Sequence, residues 1–157
     1  MGQENLDTFD ARILNLLQQD NRMTADAIAH EIGLSAAAVQ KRLKRLRSGN
    51  VIESEIAILS PHALGLNLTA VVQVRLSRDS SAELDRFKKR MLKAPEVIQC
   101  YYVTGECNFV LLVAMPDMQT YQAFSKRYFI DDDGVAQFVT SVIMERVKSH
   151  GSIEIPT

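Results

Sequence analysis

A single glycine between two short amphipathic segments constrains this chain more than any other feature. Thr24 can cap a helix whose apolar residues recur on one face between residues 25 and 32. Gly33 follows at the position where a left-handed residue ends a helix, and Ser35 can cap another helix two residues later. A turn this short makes the two helices cross steeply. The sequence therefore predicts a helix-turn-helix.

Two further apolar faces complete a three-helix core. Asp7 can cap a preceding helix, and Gly49 can end the third one. The core-facing positions of the first helix are Phe9, Ile13, Leu16 and Leu17, and those of the third are Ala36, Val39, Leu43 and Leu46. Both sets have helical spacing, so the first helix is predicted to close the core formed by the other two.

Positive charge is concentrated on the third helix. Residues 35–52 contain five cations and no carboxylate, although the whole chain carries a net charge of -1. Lysine and arginine neutralise phosphates and release counterions. The Gln40 amide can bond an adenine edge in the major groove, and Ala36 and Ala37 can approach thymine methyl groups. This segment therefore predicts a contact with double-stranded DNA through Ser35, Ala36, Ala37, Gln40, Lys41, Arg42, Lys44, Arg45 and Arg47.

The remaining residues alternate between strand-like and helix-like patterns. A strand is predicted over residues 51–58, followed by a connector that contains Pro61 and Gly65. The later elements are predicted as a strand at 68–76, a helix from Ser80 or Ser81 to Pro95, strands at 97–103 and 108–114, a helix from Asp117 with Met118, Tyr121, Phe124 and Tyr128 facing inward, and a strand at 135–147. This βαββαβ order predicts a ferredoxin-like layer of helices over an antiparallel sheet.

The fold class is therefore α+β in two domains. Residues 1–52 are predicted to form the helix-turn-helix domain, 53–67 a strand and linker, and 68–157 the ferredoxin-like domain. Helices cover only one face of such a sheet. The other face is predicted to carry Val71, Gln73 and Arg75, with some of Ile98, Cys100 and Tyr102. Homodimerisation would cover it and would also place two recognition helices on one DNA site.

The cysteines and the acidic residues give little sign of a metal or redox site. In a hairpin turning at Gly105 and Glu106, Cys100 faces Leu111 rather than Cys107, so both cysteines are interpreted as structural or tolerated. Asp131, Asp132 and Asp133 are interpreted as a solvated turn rather than a cation site. No metal is predicted. The longest apolar stretch is much shorter than the roughly 20 residues of a membrane span, and the protein is expected to be cytoplasmic.

Two separated motifs resemble the Lrp/AsnC family, the feast/famine regulators. The first runs from Gly33 to Leu46 and continues at 49–52, and the second is Thr104-Gly105 with Asn108-Phe109, similar to the family's Thr-Gly-x-x-Asp-aromatic signature. The resemblance implies a winged-type helix-turn-helix joined to an effector domain that dimerises through its sheet. It also implies assembly into tetramers, octamers or longer arrays, with amino acids bound between dimers.

The resemblance also implies an effector site. Its residues are Tyr102, Thr104, Gly105, Glu106, Cys107, Asn108, Phe138 and Thr140. The local sequence alone favours a plain hairpin turn in which Asn108 bonds its own backbone. Asn108 replaces the family's usual Asp and so weakens a charge anchor for an ammonium group, while Phe138 adds apolar bulk where the family often has Thr. The hypothesis is an apolar or aromatic amino acid, or regulation without an effector.

The chain contains no phosphate loop, nucleophile elbow or paired acid and base, so neither an enzyme nor a cofactor is predicted. The function predicted is a sequence-specific DNA-binding transcription regulator. Two alternatives remain open. One is an architectural protein that coats DNA with little sequence preference, and the other is a small-molecule sensor whose basic helix docks onto a protein.

Overall fold

A computed structural model describes residues 5–148 and 151–155, which form two compact units. The first unit runs to Ile58 and also takes in the segment from Lys148 onward, and the second runs from Leu59 to Val147. The predicted domains include residues 1–4, 149–150 and 156–157, which lie outside the described residues.

Residues 151–155 belong with the helices rather than with the ferredoxin-like unit. The Gln18 side-chain amide donates to the Ile153 carbonyl at 3.1 Å and accepts from its N–H at 2.6 Å. Ile155 packs against the apolar core of the helical unit. The second domain was expected to extend to residue 157, and these contacts between distant residues could not be anticipated from local periodicity.

Three helices form the first unit, with the caps that the sequence predicts. Helix α1 spans Thr8–Gln19, α2 spans Ala25–Ile32 and α3 spans Ala36–Ser48. The capping side chains of Asp7, Thr24 and Ser35 each accept a backbone N–H three residues later. Gly33 has φ of 75°, which explains why the second helix stops there without strain. The helix-turn-helix is thus confirmed, although the described residues add no β-strand wing to it.

The helical core contains most of the predicted apolar positions. Its buried residues are Ile13, Leu14, Ile28, Ala29, Ile32, Val39, Leu43 and Leu46. Phe9 differs from the prediction because 36% of its surface remains exposed. Its ring instead lies 5.5 Å from the Arg42 guanidinium carbon, in a cation–π contact at the start of α1.

The strand predicted at residues 51–58 is not formed. The N–H groups of Val51 and Ile52 both donate to the Leu46 carbonyl, so this segment begins as a turn that closes α3. Beyond it the chain is exposed, and none of the described residues pairs with it in a sheet. A strand requires a neighbour, which alternation in the sequence cannot supply. A short 3-10 turn at His62–Leu64 precedes the second unit.

The second unit has the predicted ferredoxin-like order. Its elements are β1 (Leu68–Leu76), α4 (Ser81–Met91), β2 (Val97–Tyr102), β3 (Phe109–Met115), α5 (Met118–Ser125), a π-helical turn (Lys126–Ile130) and β4 (Val135–Val142). The antiparallel sheet has the order β2-β3-β1-β4. Its core side chains are Leu68, Ala70, Val72, Val74, Leu76, Phe87, Met91, Ala94, Phe109, Leu111, Val113, Met115, Tyr121, Phe124, Tyr128 and Phe129.

One predicted boundary and one predicted side-chain orientation are wrong. Strand β4 ends at Val142 rather than at residue 147, because Val142 already pairs with Ala70 near the beginning of β1. Met144 and Val147 beyond it are 94% and 90% exposed. Met118 also remains 48% exposed at the start of α5, although the helical spacing predicts that it faces inward.

Asp132 is not part of a solvated turn. Its side chain is 5% exposed and is held by Arg86 and Arg90 of α4, while Asp131 and Asp133 are exposed as expected. The cations arise from a helix more than 40 residues away. The sequence run of three acids therefore splits into two solvated residues and one buried anchor.

Candidate DNA-binding face and effector site

The outer surface of α3 carries the side chains best placed to contact DNA. Ala37, Gln40, Lys41 and Lys44 are exposed, and Ala36 is half-buried. Ser35 is exposed, but its Oγ accepts the Ala38 N–H at 3.2 Å and caps the helix. Among the ion pairs found within the described residues, none involves Lys41 or Lys44.

Arg42 and Arg45 point toward the start of α1 instead. Arg42 Nη1 lies 2.7 Å from Asp7 Oδ2 and 2.8 Å from Asp10 Oδ1. Arg45 Nη2 donates to the other oxygen of Asp10. The N–H of Asp10 and then the Arg42 guanidinium lower the pKa of Asp7, and both carboxylates raise the pKa of Arg42. We call Asp7 and Asp10 the carboxylate pair.

Arg47 is paired within the same unit. Its Nε and Nη2 atoms donate to Glu55 at 3.0 and 2.8 Å in a two-point contact. This hydrogen bonding raises the pKa of Arg47 and lowers that of Glu55. Three of the five predicted phosphate-binding cations therefore have a carboxylate partner already, a division that helical spacing alone does not reveal.

The predicted effector turn borders a cavity of about 300 Å³ on the sheet face that the helices leave uncovered. We call this the open face. The cavity is lined by Gln73, Arg75, Glu106, Cys107, Gln137 and Val139. Arg75 Nη2 donates to Gln137 Oε1 at 3.0 Å, so the guanidinium is oriented by the neighbouring strand. Of the eight residues predicted for the effector site, Glu106 and Cys107 line this cavity.

Asn108 ties the hairpin to β1 and does not line the cavity. Its Oδ1 accepts the Leu76 N–H at 2.7 Å, and its Nδ2 donates to Asp79 at 2.7 Å. It therefore bonds a neighbouring strand rather than its own backbone. An aspartate here would lose the donor to Asp79 and place two carboxylates together, which gives the asparagine a structural reason.

Phe138 and Thr140 lie on the covered face of the sheet. They pair with Val74 and Val72, which are buried under the helices. The Phe138 ring is 5.0 Å from that of Phe129, and Thr140 hydrogen-bonds the Tyr121 hydroxyl, whose pKa is raised by burial. The structure therefore does not bring these two side chains to the cavity.

The other residues predicted for the effector site, Tyr102, Thr104 and Gly105, do not line the cavity either. Tyr102 pairs with Phe109 on the covered side, with its ring 5.4 Å from that of Phe109, and Cys100 pairs with Leu111 as predicted. Neither contributes to the open face, unlike Val71, Gln73 and Arg75. Thr104 and Gly105 form the exposed turn, where Gly105 has φ of 122°. Burial raises the pKa of the Cys100 thiol.

Gln137 and Val139 were not predicted as site residues. Gln73 and Arg75 were predicted on the uncovered face of the sheet but not as part of a cavity. Strand alternation signals their face, but only the pairing of β1 with β4 brings them beside the turn. Within the described residues, no helix has the length and apolarity to cross a membrane, and no three His, Cys, Asp or Glu side chains cluster as metal ligands.

Comparison with known families gives one match within the helical unit and one that covers most of the second unit and runs on to residue 153. The AsnC-type helix-turn-helix domain matches residues 6–47, and the Lrp/AsnC ligand binding domain matches residues 69–153. The chain belongs to the Lrp/AsnC family. Its helix-turn-helix is therefore the DNA-binding part of a transcription regulator, and its sheet is the family's ligand-binding domain.

Relatives of this Lrp/AsnC protein are similar along nearly the whole chain. An HTH-type transcriptional regulator of Sinorhizobium fredii is 42% identical over 150 residues, which cover 96% of this chain and 89% of the relative. The DNA-binding transcriptional activator DecR of Escherichia coli K12 is 33% identical over 96% of this chain and 99% of its own. A Neisseria meningitidis transcriptional regulator, solved as its L-Met complex, superposes with a TM-score of 0.88 at 28% identity, covering 95% of this chain and 96% of that one.

Proposed function

We propose that this Lrp/AsnC regulator reads specific DNA sites through the outer face of α3 and responds to an amino acid held in its second unit. The observation that supports DNA reading is the exposed surface formed by Gln40, Lys41 and Lys44 in the first and middle turns of α3. Lysine ammonium groups there bind phosphates, and the amide is placed to bond a base edge.

Lys44→Ala and Gln40→Ala are expected to weaken DNA binding in different ways. Loss of Lys44 removes a phosphate contact, so affinity falls for every sequence and the slope of log K against log salt becomes shallower by about 0.9. Loss of Gln40 relaxes base preference by about 1–3 kcal/mol without changing that slope. Mobility shift at several salt concentrations, with a selected site and a random duplex, measures both effects.

Lys93→Ala in the second unit is a matched control, because Lys93 is an exposed lysine that does not belong to the helical unit. Equal effects of Lys44→Ala and Gln40→Ala on both duplexes would contradict the division of roles. Wild-type binding that is steeply salt dependent without a preferred site would instead support the architectural protein. Absence of any complex would support a sensor that acts on a protein partner.

We further propose that the functional unit is a homodimer formed across the open face. Val71, Val110 and Leu112 are only partly buried there, and Tyr101 and Val139 are 53% and 49% exposed. An apolar sheet surface of this kind is stabilised when a second copy covers it. Assembly of dimers into tetramers or octamers, which the family resemblance implies, stays a prediction.

The cavity beside the turn fits a zwitterion. Arg75 supplies a guanidinium for a carboxylate, and Glu106 on the facing turn supplies a carboxylate for an ammonium group. Val139 and Cys107 are the less polar parts of the wall. The Neisseria regulator holds L-Met. We therefore propose an amino acid with an uncharged apolar side chain as the effector.

A thermal-shift screen of the twenty amino acids tests this site. An effector at about 100 times its Kd is expected to stabilise the wild type by about 2.7 kcal/mol. Arg75→Ala should abolish that shift, whereas Arg78→Ala, an exposed arginine that does not line the cavity, should retain it. A response only to Lys or Arg would contradict the proposal, and no response to any amino acid would support regulation without an effector.

A further inference from the structure

Two cations of the recognition helix are restrained by acids of another helix. The Asp10 side chain has no exposed surface, and its two oxygens are used separately, one by Arg42 and one by Arg45. Asp7 adds a second contact to Arg42 and is joined to Asp10 by a reciprocal capping box. The carboxylate pair therefore connects the N-terminus of α1 to the middle of α3.

We propose that Asp7 and Asp10 are specificity-determining positioning residues, which restrain Arg42 and Arg45 from binding DNA phosphates indiscriminately. This inference rests on the proposed DNA-reading function of α3. This role requires no contact of the two acids with DNA. They set which cations of α3 contribute to binding that is independent of sequence, and they hold α3 against α1.

Burial explains why the restraint persists near DNA. A carboxylate removed from water is tolerated only while charged partners and hydrogen bonds compensate it. A phosphate that recruited Arg42 or Arg45 would leave Asp10 buried with one partner fewer. Lys41 and Lys44 face no such opposition, since the ion pairs of the described residues do not include them.

The exposure of the two arginines indicates how they would behave once released. The Arg42 side chain is 25% exposed, lies between both acids and stacks over Phe9, while that of Arg45 is 45% exposed. Both stems start on α3, so their guanidinium groups need only turn outward to meet a DNA backbone. Phosphate binding without base reading increases non-specific affinity more than specific affinity.

The test is Asp10→Asn in the full-length chain, because asparagine has nearly the same shape and retains a side-chain oxygen. Affinities are measured for a duplex selected in vitro with the wild type and for a random duplex, over a range of salt. On the random duplex the slope of log K against log salt should steepen by about 0.9 for the release of Arg45, and by less than about a further 0.9 for Arg42, which keeps its contact with Asp7. The ratio of specific to non-specific affinity should fall about tenfold, similar to one mismatched base pair.

Asp7→Asn keeps the test decisive if Asp10→Asn fails to fold. Asp7 is half exposed and contacts Arg42 but not Arg45, and asparagine is an equally good N-cap. Because Arg42 still contacts the buried Asp10 in this variant, its slope should steepen by a fraction of about 0.9. Glu31→Gln makes the same change of charge at an exposed position of α2 and should leave the slope and the ratio unchanged.

Three results would overturn the proposal. Unchanged slope and ratio in a folded Asp10→Asn protein would do so, as would an unchanged slope in Asp7→Asn. An effect of Glu31→Gln as large as that of Asp10→Asn would show that the change in net charge alone, and not the release of the arginines, alters DNA binding. In each case a wild type that still prefers its selected site would leave the DNA-reading function intact, whereas a wild type without any preferred site would refute that function itself.

Discussion

Replacing Leu112 with aspartate is expected to convert the proposed homodimer to a monomer. Leu112 lies in the centre of the open face, paired with Val71 of β1 and Gln99 of β2. In a symmetric dimer the substitution introduces one carboxylate from each copy into the same apolar contact. Burying a charge without a partner costs several kcal/mol, so the dimer Kd should rise by a factor of about 1,000 or more.

Sedimentation at a series of protein concentrations measures this change, and mobility shift reports its consequence. A monomer presents one recognition helix and reads fewer base pairs, so affinity for a two-fold site should fall while the fold, measured by circular dichroism, is kept. Leu92→Asp is the matched control, because Leu92 is 86% exposed after α4 and lies off the open face. A Leu112→Asp protein that remains dimeric would refute dimerisation through this face.

Replacing Asp132 with alanine is expected to destabilise the second unit by about 3 kcal/mol. The Asp132 carboxylate compensates Arg86 and Arg90, and its Oδ1 also accepts the Gly134 N–H at 3.0 Å before β4 begins. Burial, and then repulsion by Arg86, already lower the pKa of Arg90. Removing this buried anion takes away the one carboxylate that pairs with Arg90 among the described residues, while Arg86 keeps Glu83, and breaking such a buried pair costs about 3–5 kcal/mol. The lower end applies because Arg86 is 46% exposed and can reach water.

Urea unfolding measures that loss as a lower midpoint at unchanged m-value. Asp131→Ala removes an adjacent exposed acid and should change stability by less than about 0.5 kcal/mol. Asp132→Asn keeps an acceptor for Gly134 and should fall between the two. If Asp131→Ala and Asp132→Ala proved equally mild, the run of acids would be a solvated turn after all.

The helix-turn-helix could be predicted almost completely because its signals are local. Thr24, Gly33 and Ser35 mark helix ends by backbone preferences that act within one turn, and the apolar spacing of α3 follows from 3.6 residues per turn. The order of strands and helices in the second unit could also be predicted. The pairing of Cys100 with Leu111, for example, follows from the length of one hairpin. These features depend on residues that are neighbours in the chain.

The proposed effector cavity could be predicted only in part because it depends on strand pairing. Glu106 and Cys107 belong to a recognisable turn, but Gln137 and Val139 reach it through the register of β4 on β1. A shift of one residue in register exchanges the two faces of a strand. Phe138 and Thr140, one residue away, accordingly lie under the helices instead.

The sequence by itself determined that α3 carries five cations and no acid, which predicts that this chain contacts DNA through a basic helix. Only the tertiary structure decided which of those cations are available. Asp7 and Asp10 are more than 30 residues from Arg42 and Arg45 in the chain, and Glu55 pairs with Arg47 from beyond the helix. The physical reason is separation along the chain. Backbone preferences and helical spacing act within a few residues, whereas the partners of a buried carboxylate depend on how the helices pack together.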